Sequence, residues 1–111
     1  MNDTPRPFIT VGICTRGRVA LLERLINCLN QQISVTPGSI ELAIVDNNDC
    51  PSNEVAKIAT TARYKTIVKH EPRAGLVTAR NALLDLAQGL ETDWLIGVDD
   101  DAWMNDDWLL A

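Results

Sequence analysis

The chain has 111 residues, which suits one small domain. Its 46% of hydrophobic residues excludes a disordered chain, and no apolar run is long enough to span a bilayer. The formal net charge of −5 is divided unevenly, because residues 1–80 carry ten bases and seven acids and residues 81–111 carry eight acids and no base. This polarity argues against binding nucleic acid across the whole domain. It predicts basic and acidic loops around one ligand, with chance clustering on a solvated face as the alternative.

The N-terminus has an acid and two prolines where a secretion signal needs a basic patch and an apolar stretch. We therefore expect a cytoplasmic chain, or one associated with a membrane through other parts of a longer protein. The cysteines are three in number, without CxxC spacing, and are expected to be buried, reduced thiols: Cys14, Cys28 and Cys50. A single histidine, His70, excludes any mechanism that needs two within this chain.

Hydrophobic periodicity and turn residues predict four strands, three helices and one turn. In chain order they are a strand over 8–14, an amphipathic helix over 18–32, a turn at 36–39, a strand over 40–46, a helix from Pro51 to about Ala62, a strand over 64–70, a helix over 76–89 that ends at Gly89, and a strand over 93–99. Pro51 suits the first turn of its helix, and Gly89 suits the position just after a helix. Apolar strands that alternate with helices predict an α/β fold, with a four-stranded parallel sheet covered on both faces.

Ligands of open parallel sheets bind outside the carboxyl ends of the strands. At those ends the sequence places "CTRGR", "DNND", "HEPRAG" and "DDDAW", of which three are rich in charge. All four segments can supply polar groups. We therefore expect a binding site at this edge of the sheet.

The first of these loops has glycines at the spacing of a phosphate-binding P-loop. Arg18 and Val19 stand where that loop needs Lys and Ser or Thr, so a P-loop is excluded, and the G-x-G-x-x-G fingerprint is also absent. Thr15 and the guanidinium groups of Arg16 and Arg18 still suit a phosphate, because the arginine fork can bind two oxygens at once. The alternative is that both arginines form the polar start of a helix.

The second and third loops offer both signs of charge. Asp46 ends a strand and could accept hydrogen bonds from a ribose or a nucleobase, or it could form an Asx turn with its own backbone. Arg73 and Gly75 precede a helix whose N-terminal amides favour anions. Arg80 could face the crevice or pair with an acid of the last loop.

The last loop has three adjacent aspartates after an apolar strand. Carboxylates repel each other, and a hard divalent cation such as Mg²⁺ or Mn²⁺ offsets that repulsion and bridges to substrate phosphates. A D-x-D pair, Asp99 and Asp101, is therefore predicted to bind a metal ion. A solvated run of acids is the alternative.

Four segments, in this order, resemble the N-terminal half of an inverting family 2 glycosyltransferase of the GT-A fold: "ITVGICTRGR", "ELAIVDNND", "AGLVTARNALLDLA" and "WLIGVDDDAWMNDDWL". The resemblance runs from about residue 9 to the end. It implies a Rossmann-like three-layer α/β/α unit over residues 1–111 that binds a nucleotide diphosphate sugar, with the acceptor half absent. A phosphoryl-transfer hydrolase is disfavoured, because its D-x-D lies near the first strand.

The resemblance also implies roles for residues. It assigns donor binding to Thr15, Arg16, Asp46, Gly75, Arg80 and Asp99 and metal binding to Asp99 and Asp101, with Asp100 a variable middle residue. Arg73 joins the predicted donor-binding set because it lies near the N-terminal amides of the helix that follows. The family's first loop commonly carries an aromatic residue, which this chain lacks.

The family's general base and most of its acceptor site lie well beyond the D-x-D motif. The base is therefore expected beyond Ala111, with Asp106 or Asp107 as the alternative, and the chain alone is expected to transfer little sugar. Trp103 and Trp108 could line the cleft or simply pack. A non-catalytic nucleotide-sugar sensor or assembly domain is the rival function. Self-association through an exposed sheet edge is also expected.

Overall fold

The computed structural model describes residues 9–32, 37–90 and 92–102. The elements are β1 (Ile9–Thr15), α1 (Val19–Asn30), a 3-10 turn (Pro37–Ser39), β2 (Ile40–Asp46), α2 (Asn53–Ala59), β3 (Lys65–His70), α3 (Leu76–Gln88) and β4 (Trp94–Asp99). Strands and helices alternate as the sequence predicted. The α/β class is therefore confirmed.

The four strands form one parallel sheet in the order β3-β2-β1-β4. Thr15 pairs with Asp46, Asp46 pairs with His70, and Cys14 pairs with Asp99, so all four carboxyl ends lie at one edge. The chain builds outward from β1 through β2 to β3, then returns across the sheet to place β4 on the other side of β1. This reversal opens a crevice between β1 and β4, where ligands of such sheets bind.

Helices cover both faces because alternate strand residues point to opposite sides. On one face α1 and α2 pack against β1 and β2, in a core that includes Val11, Ile13, Leu22, Leu25, Ile26, Leu42, Ile44 and Val55. On the other face α3 packs through Ala79, Ala82 and Leu83 against Ala43 and Val45. The three-layer α/β/α architecture is confirmed.

Gly12, in the middle of β1, allows α3 to lie close to the sheet. A Cβ atom on Gly12 would lie 2.6 Å from Cδ2 of Leu83, a separation that real Cβ atoms essentially never show. The small residue therefore fixes how closely α3 approaches the β1/β4 crevice.

The predicted start and end of α2 were wrong. Pro51 precedes the helix, because the Oγ atom of Ser52 accepts a 3.2 Å hydrogen bond from the Val55 amide and caps the N-terminus. The helix ends at Ala59, and tighter turns then follow in which Ala62 bonds to the carbonyl three residues earlier. The predicted extension to about Ala62 included these turns.

The predicted end of α3 is confirmed within one residue, because the helix ends at Gln88 and Gly89 is its C-cap, with φ of −83°. One smaller expectation was wrong. Cys50 is exposed in the loop after β2, whereas Cys14 and Cys28 are half-buried; all three are free thiols. Among the described residues, no helix combines the length and hydropathy needed to cross a membrane.

Candidate functional site

A cleft of about 840 Å³ opens at the carboxyl ends of β1 and β4, beside the N-terminal half of α3. Its polar side is formed by Thr15, Arg16, Arg18, Asn47, Arg80, Asp99, Asp100 and Asp101, and its apolar side by Leu76, Ala79, Leu83, Leu84, Leu95 and Val98. This size and mixture are typical of small-molecule sites. Of the predicted residues, the cleft brings together Thr15, Arg16, Gly75, Arg80, Asp99 and Asp101. Asp46 and Arg73 do not line it.

The three aspartates form a tight turn at the end of β4. The Ala102 amide donates a 3.0 Å hydrogen bond to the Asp99 carbonyl and closes the turn. Asp99 and Asp101 are exposed, whereas Asp100 is only 6% exposed. Asp100 is therefore the buried member of the run, although its neighbours were the residues singled out from the sequence.

Asp100 is held by two groups of the first loop. Oγ1 of Thr15 donates a 3.0 Å hydrogen bond to its Oδ2 atom, and Nη1 of Arg18 lies 3.3 Å from its Oδ1 atom. The same Nη1 atom lies 3.8 Å from Oδ2 of Asp101. The first loop is thus joined to the acidic turn by a charge-assisted network.

Arg16 lines the cleft, but its guanidinium turns toward the loop after β2. There it donates to the Asn47 carbonyl and makes a 3.0 Å ion pair with the exposed Asp49 carboxylate. This ion pair is open to solvent and therefore weak, so a competing anion could displace it. These contacts join Arg16 to the loop after β2, so Arg16 is more than a polar residue at the start of α1.

Arg73 is bound within its own loop. Its Nε and Nη2 atoms each lie 3.0 Å from one oxygen of the Glu71 carboxylate, in a two-pronged pair. Hydrogen bonds from the side chain and backbone of Arg73 lower the pKa of Glu71 from 4.5 to about 2. This arrangement leaves the predicted anion-binding role of Arg73 without structural support.

Arg80 differs from the other three arginines at this edge. It lines the cleft, is exposed, and makes no hydrogen bond or ion pair with any residue in the described ranges. The alternative of an ion pair between Arg80 and an acid of the last loop is therefore not found there. Burial raises the pKa of the nearby Cys14 thiol, and the Arg80 charge opposes that rise while Asp99 and Asp100 add to it.

Asp46 takes the Asx-turn arrangement that the sequence left open. It is buried, and its Oδ1 atom accepts from the Asn48 amide at 3.1 Å and the Asn48 side chain at 2.7 Å. Its Oδ2 atom accepts from the Ser52 amide at 2.7 Å. Both oxygens thus shape the loop after β2. The contact with a nucleoside stays a prediction.

Asn47 is a buried residue that sequence reasoning missed. Its backbone amide donates to the Thr15 carbonyl at 2.8 Å. Its side-chain Nδ2 atom donates to the backbone carbonyls of Glu71 at 2.7 Å and Arg73 at 2.8 Å. It therefore joins the ends of three strands. The only sequence signal was an asparagine directly after a strand, which an ordinary turn also shows.

The N-terminus of α3 opens onto the cleft. Gly75 is the N-cap with φ of +127°, a conformation that favours glycine, and no side chain caps the helix there. The first-turn amides of this 13-residue helix lack partners within it and carry partial positive charge. An anion in the cleft could contact two groups of the same helix, these amides and the side chain of Arg80, which lies about one turn further along α3.

The side chains of the cleft are suited only in part to holding a divalent cation. Within the described residues, no group of three or more His, Cys, Asp or Glu side chains could hold a metal ion. Asp99 and Asp101 remain two exposed carboxylates, and Mg²⁺ is often held by one or two carboxylates with substrate phosphates completing its shell. The residues fit that shared kind of site. Trp103, Asp106, Asp107 and Trp108 lie outside the described residues.

Crystal structures of S. aureus TarS have a similar fold. TarS 1–349 in complex with UDP gives a TM-score of 0.76 at 21% identity, over 93% of this chain and 30% of that one. The complex with UDP-GlcNAc gives 0.72 at 21% identity, over 93% and 29%. This chain thus spans about 30% of the length of those relatives. No curated protein sequence matches it.

The fold is the Rossmann-like part of the GT-A fold, as those structures indicate. The sequence profile of glycosyl transferase family 2 matches residues 10–111, which is nearly the whole chain. The resemblance seen in the sequence is therefore confirmed, and the chain belongs to glycosyl transferase family 2.

Proposed function

We propose that this chain is the donor-binding part of a glycosyltransferase that moves a sugar from a nucleotide diphosphate sugar to an acceptor hydroxyl. The proposal includes inversion at the anomeric carbon and assistance by Mg²⁺ or Mn²⁺. Family membership supports glycosyl transfer, and the bound UDP of TarS supports a nucleotide ligand. The donor-binding residues we propose are those of the cleft, chiefly Arg80, Gly75, Asp99 and Asp101.

One observation carries the proposal. The cleft holds a guanidinium, Arg80, that has no partner among residues 9–32, 37–90 and 92–102, and two exposed carboxylates, Asp99 and Asp101. An unpaired base suits a diphosphate, and exposed carboxylates suit a cation or a ribose hydroxyl. A cation bound to diphosphate matches both signs of charge at once. The other three arginines at this edge are already paired with Asp49, Asp100 or Glu71.

The chemistry we propose is a single displacement. The acceptor oxygen forms a bond to the anomeric carbon while the bond to the diphosphate breaks, and the diphosphate leaves with the electron pair. Arg80 and the α3 amides would stabilise the charge that grows on the diphosphate. A divalent cation held by Asp99 and Asp101 would supply further stabilisation of that negative charge.

The proton of the acceptor hydroxyl needs a general base. No described residue is assigned that role, and our expectation from the resemblance is a base beyond Ala111. We therefore propose that this chain alone binds nucleotide and cation but transfers little sugar. Robust transfer by the chain alone would overturn that part of the proposal.

Calorimetry with UDP, with and without Mn²⁺, tests the donor site. We expect UDP to bind in the presence of Mn²⁺, and Arg80→Ala to weaken binding about tenfold or more, because a charge-assisted hydrogen bond to phosphate is lost. Asp101→Asn should weaken the Mn²⁺-dependent part alone. Lys57→Ala is the control, because it removes an exposed charge on α2, on the opposite face of the sheet from α3.

A chain with the rival function, a non-catalytic sensor of nucleotide sugars, would bind UDP equally well. The two functions can be distinguished only when this segment is joined to an acceptor half and assayed for sugar transfer. An assembly domain would bind no UDP with or without Mn²⁺, and that result would overturn the proposed donor site.

We also propose that the chain associates with itself along β4. This strand pairs only with β1 among the described residues, and Trp94 at its start is 63% exposed. Leu76 and Leu84 on α3 are exposed as well. A free strand edge flanked by apolar side chains is a template for a second copy.

A further inference from the structure

We propose that Asp100 is a positioning residue, which holds the acidic turn so that Asp99 and Asp101 present their carboxylates to the cleft. It acts through Thr15 and Arg18 and does not touch the ligand. For the role of the Asp99 and Asp101 carboxylates, the inference rests on the proposed donor site. The anchoring itself rests on contacts within the described residues.

The alternation of side chains along β4 explains why the middle aspartate turns away from its neighbours. Successive strand residues point to opposite faces. Gly97 is the register partner of Gly12, which faces Leu83 of α3, whereas Val98 packs against the core on the α1 side, so Asp99 is directed to the α3 side. Asp100 follows Asp99 and is directed to the α1 side, where it meets Arg18, the residue before α1.

Both oxygens of Asp100 are already bonded. Oδ2 accepts from Oγ1 of Thr15 at 3.0 Å, and Oδ1 lies 3.3 Å from Nη1 of Arg18. Asp100 and Thr15 are only 6% and 3% exposed. Thr15 therefore donates its hydroxyl hydrogen bond to Asp100, which makes it an anchor for the acidic turn. The nucleotide contact that the sequence predicted for Thr15 stays a prediction.

The acidic turn makes two further contacts with arginines on the α1 side of the sheet. Nη2 of Arg24, on α1, donates a 2.8 Å hydrogen bond to the Asp101 carbonyl. Arg18 also lies 3.8 Å from the Asp101 carboxylate. Three adjacent carboxylates repel one another, and these contacts offset that repulsion before any cation arrives. The anchored turn keeps its geometry because Asp100 is neutralised by the protein itself.

Thr15→Val tests the anchor, since valine keeps the shape and removes the hydroxyl. We expect Mn²⁺ binding in the presence of UDP to weaken about 10- to 100-fold, as for partners that orient metal ligands. Thr15→Ser should restore binding close to the original value. Thr66→Val is the control, because Thr66 lies in β3, outside the cleft lining, and its hydroxyl donates to the carbonyl of Tyr64 just before that strand.

A double variant separates anchoring from an independent contact. In the Asp100→Ala background, Thr15→Val should cause no further loss, because both changes remove the same bond. Losses that multiply would overturn the inference. Thr15→Ser binding as weakly as Thr15→Val would overturn it as well.

Hydrogen exchange of the Ala102 backbone amide measures how often the acidic turn opens, and the measurement needs no ligand. This amide bonds the Asp99 carbonyl at 3.0 Å, and we expect its exchange to speed up in Thr15→Val and Asp100→Ala but not in Thr66→Val. Unchanged exchange would overturn the anchor even if Mn²⁺ binding changed. Failure of the unaltered chain to bind Mn²⁺ and UDP would instead overturn the proposed function, and exchange alone would then decide the anchor.

Discussion

The Asn47 side chain donates a 2.7 Å hydrogen bond to the backbone carbonyl of Glu71 and so ties the end of β2 to the segment after β3. The same nitrogen donates to the Arg73 carbonyl at 2.8 Å. Both carbonyls belong to the loop that leads into α3. The position of α3 beside the cleft therefore depends in part on a buried side-chain amide that holds the loop before this helix.

Replacing Asn47 should destabilise the fold. Asn47→Ala leaves two carbonyls without their donor, and we expect the free energy of unfolding to fall by about 1–3 kcal/mol. Asn47→Asp should cost more, because a carboxylate would face two carbonyl oxygens. Urea unfolding measures both, with exposed Gln88→Ala on α3 as the control. Equal stability of Asn47→Ala and the control would contradict this prediction.

Gly12→Ala should strain the contact between β1 and α3. Its Cβ would lie 2.6 Å from Cδ2 of Leu83, so we expect a loss of about 1–3 kcal/mol. Gly97→Ala, one strand away, meets nothing within 4 Å and should change stability by less than about 0.5 kcal/mol. Thermal unfolding of both variants compares the two sites. Leu83→Ala combined with Gly12→Ala should cost less than the two single losses together.

The Glu71–Arg73 pair should make the free energy of unfolding depend on pH in the acidic range. The folded pKa of Glu71 is lowered from 4.5 to about 2, so its stabilisation is present above 4.5 and is lost as the pH falls towards 2. Arg73→Gln removes the partner and should flatten that part of the stability profile. Urea unfolding across this pH window measures the difference. Parallel profiles for both proteins would contradict the assignment.

Self-association should depend on the edge of β4. Trp94→Lys puts a charge where a second copy would pair, and we expect light scattering to report a smaller particle than for the unaltered chain. Ala56→Lys adds the same charge on α2, on the opposite face of the sheet from α3, and should leave the particle size unchanged. A monomeric unaltered chain would count against the proposed association.

The elements were predictable where local signals agree. The β2 boundaries, Ile40–Asp46, match the prediction because an apolar run lies between turn residues. The start of α2 was missed because Pro51 and Ser52 are both good helix-start residues, and only the hydrogen bond to Val55 selects Ser52. Boundaries thus depend on contacts that composition does not reveal.

The candidate site was predictable as a location more than as a set of contacts. Strand ends gather by topology alone, so the loops could be placed together from the sequence. Which arginine remains unpaired depends on partners such as Asp49 for Arg16, and Thr15 and Asp100 are separated by 85 positions in the chain. No local pattern specifies pairings at that range, so Arg80 and Asp100 could not be distinguished from their neighbours beforehand.

Gly12 and Gly97 are register partners on adjacent strands, and their surroundings differ. Leu83 covers the first, whereas the second faces open space and forms part of the cleft floor. A methyl group added at position 97 therefore meets no neighbour, whereas one added at position 12 meets Leu83. Position 97 is thus a place where the wall of the cleft can gain a small side chain, and the shape of the ligand that fits can change, while the contact between β1 and α3 stays the same.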